Sequence, residues 1–338
     1  MTKSVSVLIL TLFIGLQLHA SKARIGSLQG ADHLIDTQTV LKNPAHINSL
    51  TPFLTFEMGG VGSGAEGGIS KKLSNGNLLG IYLGHNNTST RRDGSIFLEQ
   101  QNPVEVIYGV GNQGYAASLS TVDNKRSGTK ETTVVLKYGI TGDSWDYFGH
   151  LTLISSAEKT GTPDQKINDA PRLTLGASKK TGTDHCFARL DYGNAKTEAG
   201  TVSTTTKDLG LILGWEDRSL KVTDKDIYYG FQFEYGSTDI EGEKISTTAL
   251  PVFVGLEMNM NSWSVFRASL KQNVLIGSKK DETAANTDPE GINNNTTVAA
   301  GLGLKHSNLT LDGILSASTT GQINGTAFLV STAVTYNF

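Results

Sequence analysis

The chain has 338 residues, of which 38 are glycine and 38% are hydrophobic, and its formal net charge is −3 at pH 7. Because no block of like charge occurs along it, there is no basic footprint for nucleic acid, and we predict no nucleic-acid partner. Cys186 is the single cysteine, which excludes an internal disulfide framework and a four-cysteine metal site. No cofactor is predicted.

Residues 1–20 have the pattern of a secretory signal peptide. Lys3 precedes an apolar run at 5–18, and Ala20 is a small residue suited to cleavage. The run is shorter than the roughly 20 residues of a spanning helix, and no second run of that length occurs later in the chain. An exported chain of this kind is either a soluble β protein or a closed barrel, because lipid leaves no backbone polar group unsatisfied.

Residues 21–50 lack the alternation of a strand. Short helical turns are predicted here, ending at Asn43 and Pro44, and the segment is expected to form a unit distinct from the strands after it. Asp32, His33 and Asp36 could coordinate a metal or anchor the segment to a wall. Isolated carboxylates and one histidine fall short of a metal motif, so anchoring or solvation is the expectation and no metal site is predicted.

From Thr51 onward the chain alternates apolar and polar residues in about sixteen runs, each the length of a strand. Short links alternate with longer polar ones, such as 123–130, 193–204, 237–244 and 277–296. This pattern is typical of a barrel with tight turns at one end and wide loops at the other. The predicted strands are 51–59, 65–73, 78–86, 103–110, 113–122, 131–140, 145–156, 170–179, 184–193, 205–216, 225–236, 246–258, 262–275, 296–306, 308–317 and 326–338.

The two faces of these strands differ in character. Leu209, Leu211, Leu213 and Trp215 alternate with polar or small residues, apart from Ile212. One face therefore suits lipid, and the other carries charges of both signs, as a wet lumen does. The mixed signs argue against strong ion selectivity. Residues predicted to line the lumen are Glu105, Lys137, His150, Arg189, Asp191, Asp208, Glu234, Glu257, Arg267, Lys271 and Lys305.

The last strand ends on aromatic residues. Tyr336 and Phe338 lie on its apolar face, where an aromatic girdle at a lipid interface would lie. We predict an all-β, transmembrane, antiparallel up-and-down β-barrel of about 14–16 strands at 51–338, in a bacterial outer membrane. Tyr336 and Phe338 would form the C-terminal assembly signal for the barrel-assembly machinery, and lipid of that membrane is the other expected partner.

Residues 30–50, with the triplet Asn43, Pro44 and Ala45 ahead of the first strand, resemble the N-terminal hatch of FadL-type long-chain fatty-acid transporters. The resemblance covers about twenty residues and the general barrel pattern. It implies a barrel plugged by a hatch, with Asp32, Asp36, Asn43, Pro44 and Ala45 in it, that passes hydrophobic small molecules without energy input. The chain is shorter than those transporters, and the strand count exceeds their usual fourteen.

No catalytic constellation emerges from the sequence. His150 or His185 could act as a base beside Asp191, Asp208, Glu216 or Glu234, but no nucleophile elbow or HExxH helix accompanies them. An enzyme is therefore not predicted. Two functions stay open: passive diffusion of small solutes, including hydrophobic ones, through the barrel, or a structural or surface-interaction barrel with a closed lumen and long loops.

Overall fold

A computed structural model of the chain describes residues 21–29, 31–58, 65–85, 102–161, 163–220, 225–281, 290–291, 296–319 and 331–338. The predicted signal peptide lies outside this range. Three short helical elements come first: α1 at Lys22–Ser27, α2 at Thr39–Lys42 and a 3₁₀ helix at Pro44–Ser49. Among the described residues, no helix combines the length and apolar character that a membrane span requires.

The remaining described chain forms one antiparallel sheet that closes on itself, since the first strand pairs with both the second and the last. Phe53 lies opposite Asn337 at the seam. The strands are β1 Phe53–Met58, β2 Ala65–Lys72, β3 Leu78–Leu83, β4 Val104–Val110, β5 Gln113–Asn124, β6 Thr129–Thr141, β7 Trp145–Lys159, β8 Gln165–Asn168, β9 Arg172–Thr181, β10 Asp184–Ala199, β11 Val202–Asp217, β12 Lys225–Ile240, β13 Glu243–Asn261, β14 Ser264–Asp281, β15 Glu290–Gly291, β16 Thr296–His306, β17 Leu309–Thr319 and β18 Ser331–Asn337.

Two positions around the barrel are occupied by interrupted strands. Both β8 and β9 lie between β7 and β10, and both β15 and β16 pair with β14. The described sheet is therefore a closed antiparallel barrel of sixteen strands. This confirms the predicted fold class and the upper end of the predicted strand number.

Side chains alternate between the outside and the inside of the barrel, as successive residues of a strand must. On β6, Leu136 and Tyr138 are exposed on the outer face, while Val135, Lys137 and Gly139 face inward and are buried. Exposed leucine, isoleucine, valine and aromatic side chains recur on the outer face of most strands. An outer surface of this composition is suited to the hydrocarbon of a membrane rather than to water.

The two ends of the barrel differ. The end at which β1 begins and β18 finishes, here called the terminal end, also carries the short turns at 73–77, 111–112, 142–144, 182–183, 262–263 and 307–308. Outward aromatic side chains cluster near it, in pairs such as Trp145 with Tyr147 and Tyr336 with Phe338. Aromatic rings prefer the boundary between lipid and water, so this row marks one interface. The opposite end is called the loop end.

Three predicted long loops are wholly or partly strand instead. Residues 193–204 and 237–244 continue the strand pairs β10–β11 and β12–β13, which reverse at Gly200 and at Glu241–Gly242 with positive φ angles. Strand β5 extends to Asn124 and β6 begins at Thr129, so only four residues of 123–130 form a turn. These stretches were misassigned because their polar residues leave no apolar face, although backbone pairing needs none.

Other boundaries also differ from the sequence prediction. The strand predicted at 170–179 starts later, at Arg172, because Pro171 has no amide hydrogen to donate to the ladder. The predicted loop 277–296 begins later, because β14 continues to Asp281. Of the predicted last strand, only 331–338 lies within the described residues.

Candidate functional site

The candidate site is the interior of the barrel, where residues 21–29 and 31–50, here called the lumen segment, pack against inward-facing side chains. Its apolar residues contribute to two clusters. Val40, Leu41 and Ile47 pack with Tyr82 and Ile107 of the wall, and Leu28 and Leu34 pack with Tyr228 and Phe253. Nearly opposite sectors of the barrel thus contact the same segment, so the segment crosses the lumen.

Helix α1 is held by a chain of buried ion pairs. Arg24 donates through Nε and Nη2 to the two carboxylate oxygens of Glu257, at 2.7 and 2.9 Å. Arg267 also donates to Glu257, at 2.6 Å, and to Asp312, at 2.6 Å, while Ser21 Oγ donates to Asp312 at 3.2 Å. Bidentate and charge-assisted hydrogen bonds are among the strongest in proteins. Strands β13, β14 and β17 therefore anchor the start of the segment.

A second set of contacts ties the segment to β1, β2 and β3. The backbone N–H of Lys22 donates to Glu57 at 2.8 Å, and its ammonium pairs with Glu66. Gln38 Nε2 lies 2.8 Å from Glu57, 2.7 Å from Glu66 and 2.7 Å from the Tyr82 hydroxyl. Three neighbouring strands thus present acceptors to one amide and one lysine.

Asp32 and His33 contact the opposite wall. Asp32 accepts from Lys42 within the segment and from His185 Nε2 of β10, at 3.2 Å. His33 meets Glu216 Oε1 of β11 twice, through its backbone N–H at 2.9 Å and Nδ1 at 2.7 Å. Burial lowers the pKa of His33 to about 3, so the ring is neutral at pH 7 and Nδ1–H donates. Burial opposes ionisation of Asp32, but the charge of Lys42 holds its pKa well below the usual range.

Asp36 is fully buried and caps helix α2. Its Oδ1 accepts from the backbone N–H groups of Gln38, at 2.9 Å, and Thr39, at 3.0 Å. Its Oδ2 is buried and has no hydrogen-bond partner among the described atoms. Burial raises the pKa of Asp36 to about 7, against the opposing charge of Arg24. The carboxyl group therefore titrates near neutral pH.

The end of α2 is bound by two strand residues through backbone carbonyls. Lys137 Nζ donates to the carbonyl of Leu41 at 2.8 Å and to both oxygens of Glu105, at 2.9 and 2.8 Å. His150 Nε2 lies 2.6 Å from the carbonyl oxygen of Lys42. These bonds satisfy carbonyl groups that a helix end leaves without intrahelical partners.

The Asn43–Pro44–Ala45 triplet sits directly against glycines of the wall. Asn43 Oδ1 accepts from the Ala45 backbone N–H at 3.1 Å and starts the 3₁₀ helix. A Cβ added at Gly114 would collide with the Pro44 backbone, and one added at Gly139 would collide with Asn43 Oδ1. Glycine at these two wall positions lets the backbone of the segment approach the sheet closely.

Two cavities remain between the lumen segment and the wall formed by β7, β9 and β10. One, of about 330 Å³, is lined by Asp146, Lys180 and His185 next to the terminal end. The other, of about 530 Å³, is lined by Arg172, Thr174 and Asp191 towards the loop end. They are called the terminal cavity and the loop cavity. The segment does not fill the cross-section at this wall.

The structure distributes the residues predicted to line the lumen over several contacts. Glu105, Lys137, His150, Glu257 and Arg267 take part in the contacts with the segment described above. Arg189 donates to Asp191 at 2.8 Å, Lys271 lies 3.3 Å from Glu234, and Asp208 accepts from Arg172 at 3.1 Å. Lys305 is partly buried. All eleven residues lie on strands. Of the candidate catalytic residues, His150 and Asp191 line the loop cavity, His185 lines the terminal cavity, and Asp208, Glu216 and Glu234 line neither.

Several interior residues were missed by the sequence prediction. Glu57 and Glu66 alternate with apolar neighbours on short strands, a signal that was present in the sequence. Arg24, Gln38 and Lys42 lie in a segment without strand periodicity, so nothing indicated their direction. Within the described part of the chain, no three histidine, cysteine, aspartate or glutamate side chains come together as a metal site would need.

Comparison with known proteins adds the context of the fold. No family model matches the chain, and no curated protein matches its sequence. Solved structures similar to it include OmpT, an outer membrane protein of Vibrio cholerae, with 10% identity, 85% of this chain and 95% of that chain covered, and a TM-score of 0.44. A Pseudomonas aeruginosa FadL homologue has 12% identity, 93% and 96% coverage and a TM-score of 0.44. The CymD monoaromatic hydrocarbon channel has 10% identity, 90% and 93% coverage and a TM-score of 0.41. At these values the comparisons carry no argument about the function of this chain.

Proposed function

We propose that this protein is a channel of the bacterial outer membrane that lets small solutes, including hydrophobic ones, diffuse passively. The observation that carries the proposal is the interior: a sixteen-stranded barrel is wide enough to enclose a lumen. Two cavities remain beside the lumen segment. A barrel with a purely structural role would gain stability from a fully packed interior.

The membrane location is supported by the outer surface. Exposed apolar side chains cover most strands, and aromatic rings concentrate at the terminal end. The predicted signal peptide would direct export, and Tyr336 and Phe338 would be recognised by the barrel-assembly machinery. Lipid is then the solvent of the outer face.

The lumen segment is proposed to act as a hatch. Its ion pairs with Glu257 and Glu66, and its hydrogen bonds to Glu216, connect it to widely separated strands, which supports a closed resting state. Asp32, Asp36, Asn43, Pro44 and Ala45 would hold the hatch together and against the wall. The stability of each contact would set how readily the channel opens.

Single-channel conductance in planar bilayers tests the proposal, using the refolded chain without residues 1–20 and a second form that also lacks 25–42. Conductance that appears or increases on deletion supports a hatched channel. Large steady steps of equal size from both forms support an open porin and remove the hatch. Silence from both forms overturns the channel and favours the structural barrel.

A further inference from the structure

The two cavities meet at a shared boundary. Among the described residues, four line both of them: Gln38, Lys42, Phe148 and Arg189. Gln38 and Lys42 belong to the lumen segment, whereas Phe148 and Arg189 belong to β7 and β10 of the wall. A solute moving from one cavity to the other would therefore pass between the segment and this wall.

The geometry of this boundary places a lysine beside an aromatic ring. Lys42 Nζ lies 5.4 Å from the centroid of the Phe148 ring, within the range of a cation–π contact. Because the Lys42 side chain is 39% exposed and that of Arg189 is 45% exposed, both cations are accessible to water in the lumen. The boundary thus has two cations and one aromatic ring among its four lining residues.

Among the residues that line this route, cations outnumber carboxylates. Five lysines and arginines line the two cavities, together with three carboxylates: Lys42, Lys137, Arg172, Lys180 and Arg189, and Asp32, Asp146 and Asp191. The carboxylates that pair with Lys137 and Arg172 are not among the lining residues; they are Glu105, Asp169 and Asp208. At the boundary itself, no carboxylate is present among the described residues that line both cavities.

The carboxylates that pair with the two boundary cations lie on opposite sides of it. Asp32 pairs with Lys42 and lines the terminal cavity, while Asp191 pairs with Arg189 and lines the loop cavity. Arg189 and Asp191 are 45% and 30% exposed to water, which weakens their pairing, whereas Asp32 is only 17% exposed in its pair with Lys42. A mobile anion can therefore compete for Arg189 more readily than for Lys42 as it moves across.

We infer that the solute path runs along the β7–β10 wall through both cavities, and that Lys42 and Arg189 make it selective for small anions. Positively charged side chains that line a passage favour anions, since low-dielectric walls focus the field. The inference rests on the proposed channel function and refines it. The interior carries charges of both signs, but the residues that line both cavities include two cations and no carboxylate.

Reversal potential in a potassium chloride gradient tests the selectivity of the conducting form, whether intact or opened by breaking the Arg24 anchor with Arg24→Gln. We expect chloride to be more permeant than potassium, and the permeability ratio to fall by about two-fold or more in Lys42→Gln and in Arg189→Gln. The matched control is Lys271→Gln, a lumen lysine of β14 with 31% exposure that lines neither cavity. The permeability ratio of Lys271→Gln should equal that of the same conducting form without the substitution.

A thiol reporter measures the same charge without conduction. In a Cys186→Ser background in detergent, Phe148→Cys places a thiol at the boundary, and Ser178→Cys places one in the terminal cavity if the first variant folds poorly. Anionic and cationic methanethiosulfonates are compared, each normalised to its rate with a free small thiol. The normalised rate should favour the anionic reagent, and Arg189→Gln should reduce that preference where Lys271→Gln does not.

The outcomes of these experiments distinguish the anion-selective path from the proposed channel function. Conductance with equal chloride and potassium permeability, or a ratio that Lys42→Gln and Arg189→Gln leave unchanged, would overturn the anion path and leave the channel intact. Silence of every form, including the one lacking 25–42, would remove the proposed function. In that case a normalised rate that favours the cationic reagent would also refute the charge of the boundary.

Discussion

Arg24 and Glu257 form a bidentate ion pair between the first helix and a strand 233 residues further along the chain. Arg267 donates to the same carboxylate and to Asp312, so the pair is one member of a network shared by three strands. Breaking a buried pair by removing one partner typically costs about 3–5 kcal/mol, because the other charge stays buried. The network therefore anchors the start of the lumen segment to three strands.

Arg24→Gln should detach the start of the segment. Its exposure can be measured through Val40→Cys in a Cys186→Ser background, because Val40 is 1% exposed and its thiol reacts only when the segment leaves the wall. We expect alkylation at least about ten-fold faster than in the parent. Lys166→Gln, which removes the water-exposed pair with Glu158, should leave the rate unchanged; equal acceleration by both would contradict the anchor.

Gly139→Ala should displace the 3₁₀ helix, because the added Cβ meets the side-chain oxygen of Asn43. The same Val40→Cys reporter should react several-fold faster. Gly236→Ala is the matched control on β12, since a Cβ there meets nothing within 4 Å. If both alanine variants behave like the parent, the close packing at the triplet is not what holds the segment.

Docking of the segment should weaken as pH rises through about 7, because of Asp36. Its pKa in the folded protein is raised to about 7 by burial, so the folded state binds the proton more tightly than the unfolded state. Stability from this group is full below the unfolded pKa and is lost as pH rises through the folded pKa. Reporter alkylation, corrected for thiolate fraction, should increase from pH 6 to pH 8, and Asp36→Asn should abolish the increase. An unchanged slope in Asp36→Asn would contradict this assignment.

Docking of the segment should also weaken as pH falls into the acid range, because of His33. Burial lowers its pKa to about 3, so the folded state binds fewer protons than the unfolded state below pH 6.5. Its stabilising contribution is present above the unfolded pKa and is lost as pH falls towards the folded pKa. His33→Gln should reduce the loss of docking between pH 6.5 and pH 4, measured by the same reporter; His306→Gln, a histidine exposed at the terminal end, serves as the control.

Removal of Phe338 should reduce insertion of the barrel into membranes that contain the assembly machinery, while refolding in detergent proceeds as before. The aromatic ring is 61% exposed and contacts Tyr336 edge-on, with ring centroids 5.4 Å apart. Tyr147→Ala removes another exposed aromatic near the same end and is the control. Equal losses in both variants would indicate a general effect of the aromatic girdle rather than a terminal signal.

The barrel could be predicted because period-2 alternation is a local property. On β6, the order Leu136, Lys137, Tyr138 already predicts which side chains face out and which faces in. The strand's pleat then exposes Leu136 and Tyr138 and buries Lys137. The interior could not be predicted in the same way. The partner of Arg24 depends on where β13 closes the barrel, and no neighbouring residue carries that information.

The stretch from 193 to 204 shows a second limit of prediction from the sequence. Its lysine, glutamate and threonine residues suggested a loop, because sequence patterns report which face is apolar and not whether the backbone is paired. Where a barrel extends beyond the lipid, both faces can be polar, and the ladder is then held by backbone hydrogen bonds alone.

Only Thr51 and Pro52 separate Leu50, at the end of the 3₁₀ helix, from β1. Two extended residues span at most about 7 Å, so the end of the segment stays close to the seam between β1 and β18. It cannot leave the lumen as a unit while β1 stays paired with β18. Any opening therefore begins at α1, which is furthest along the segment from β1, and progresses back towards the Asn43–Pro44–Ala45 triplet. The short connection to β1 sets the order in which the contacts break, together with the strengths of those contacts.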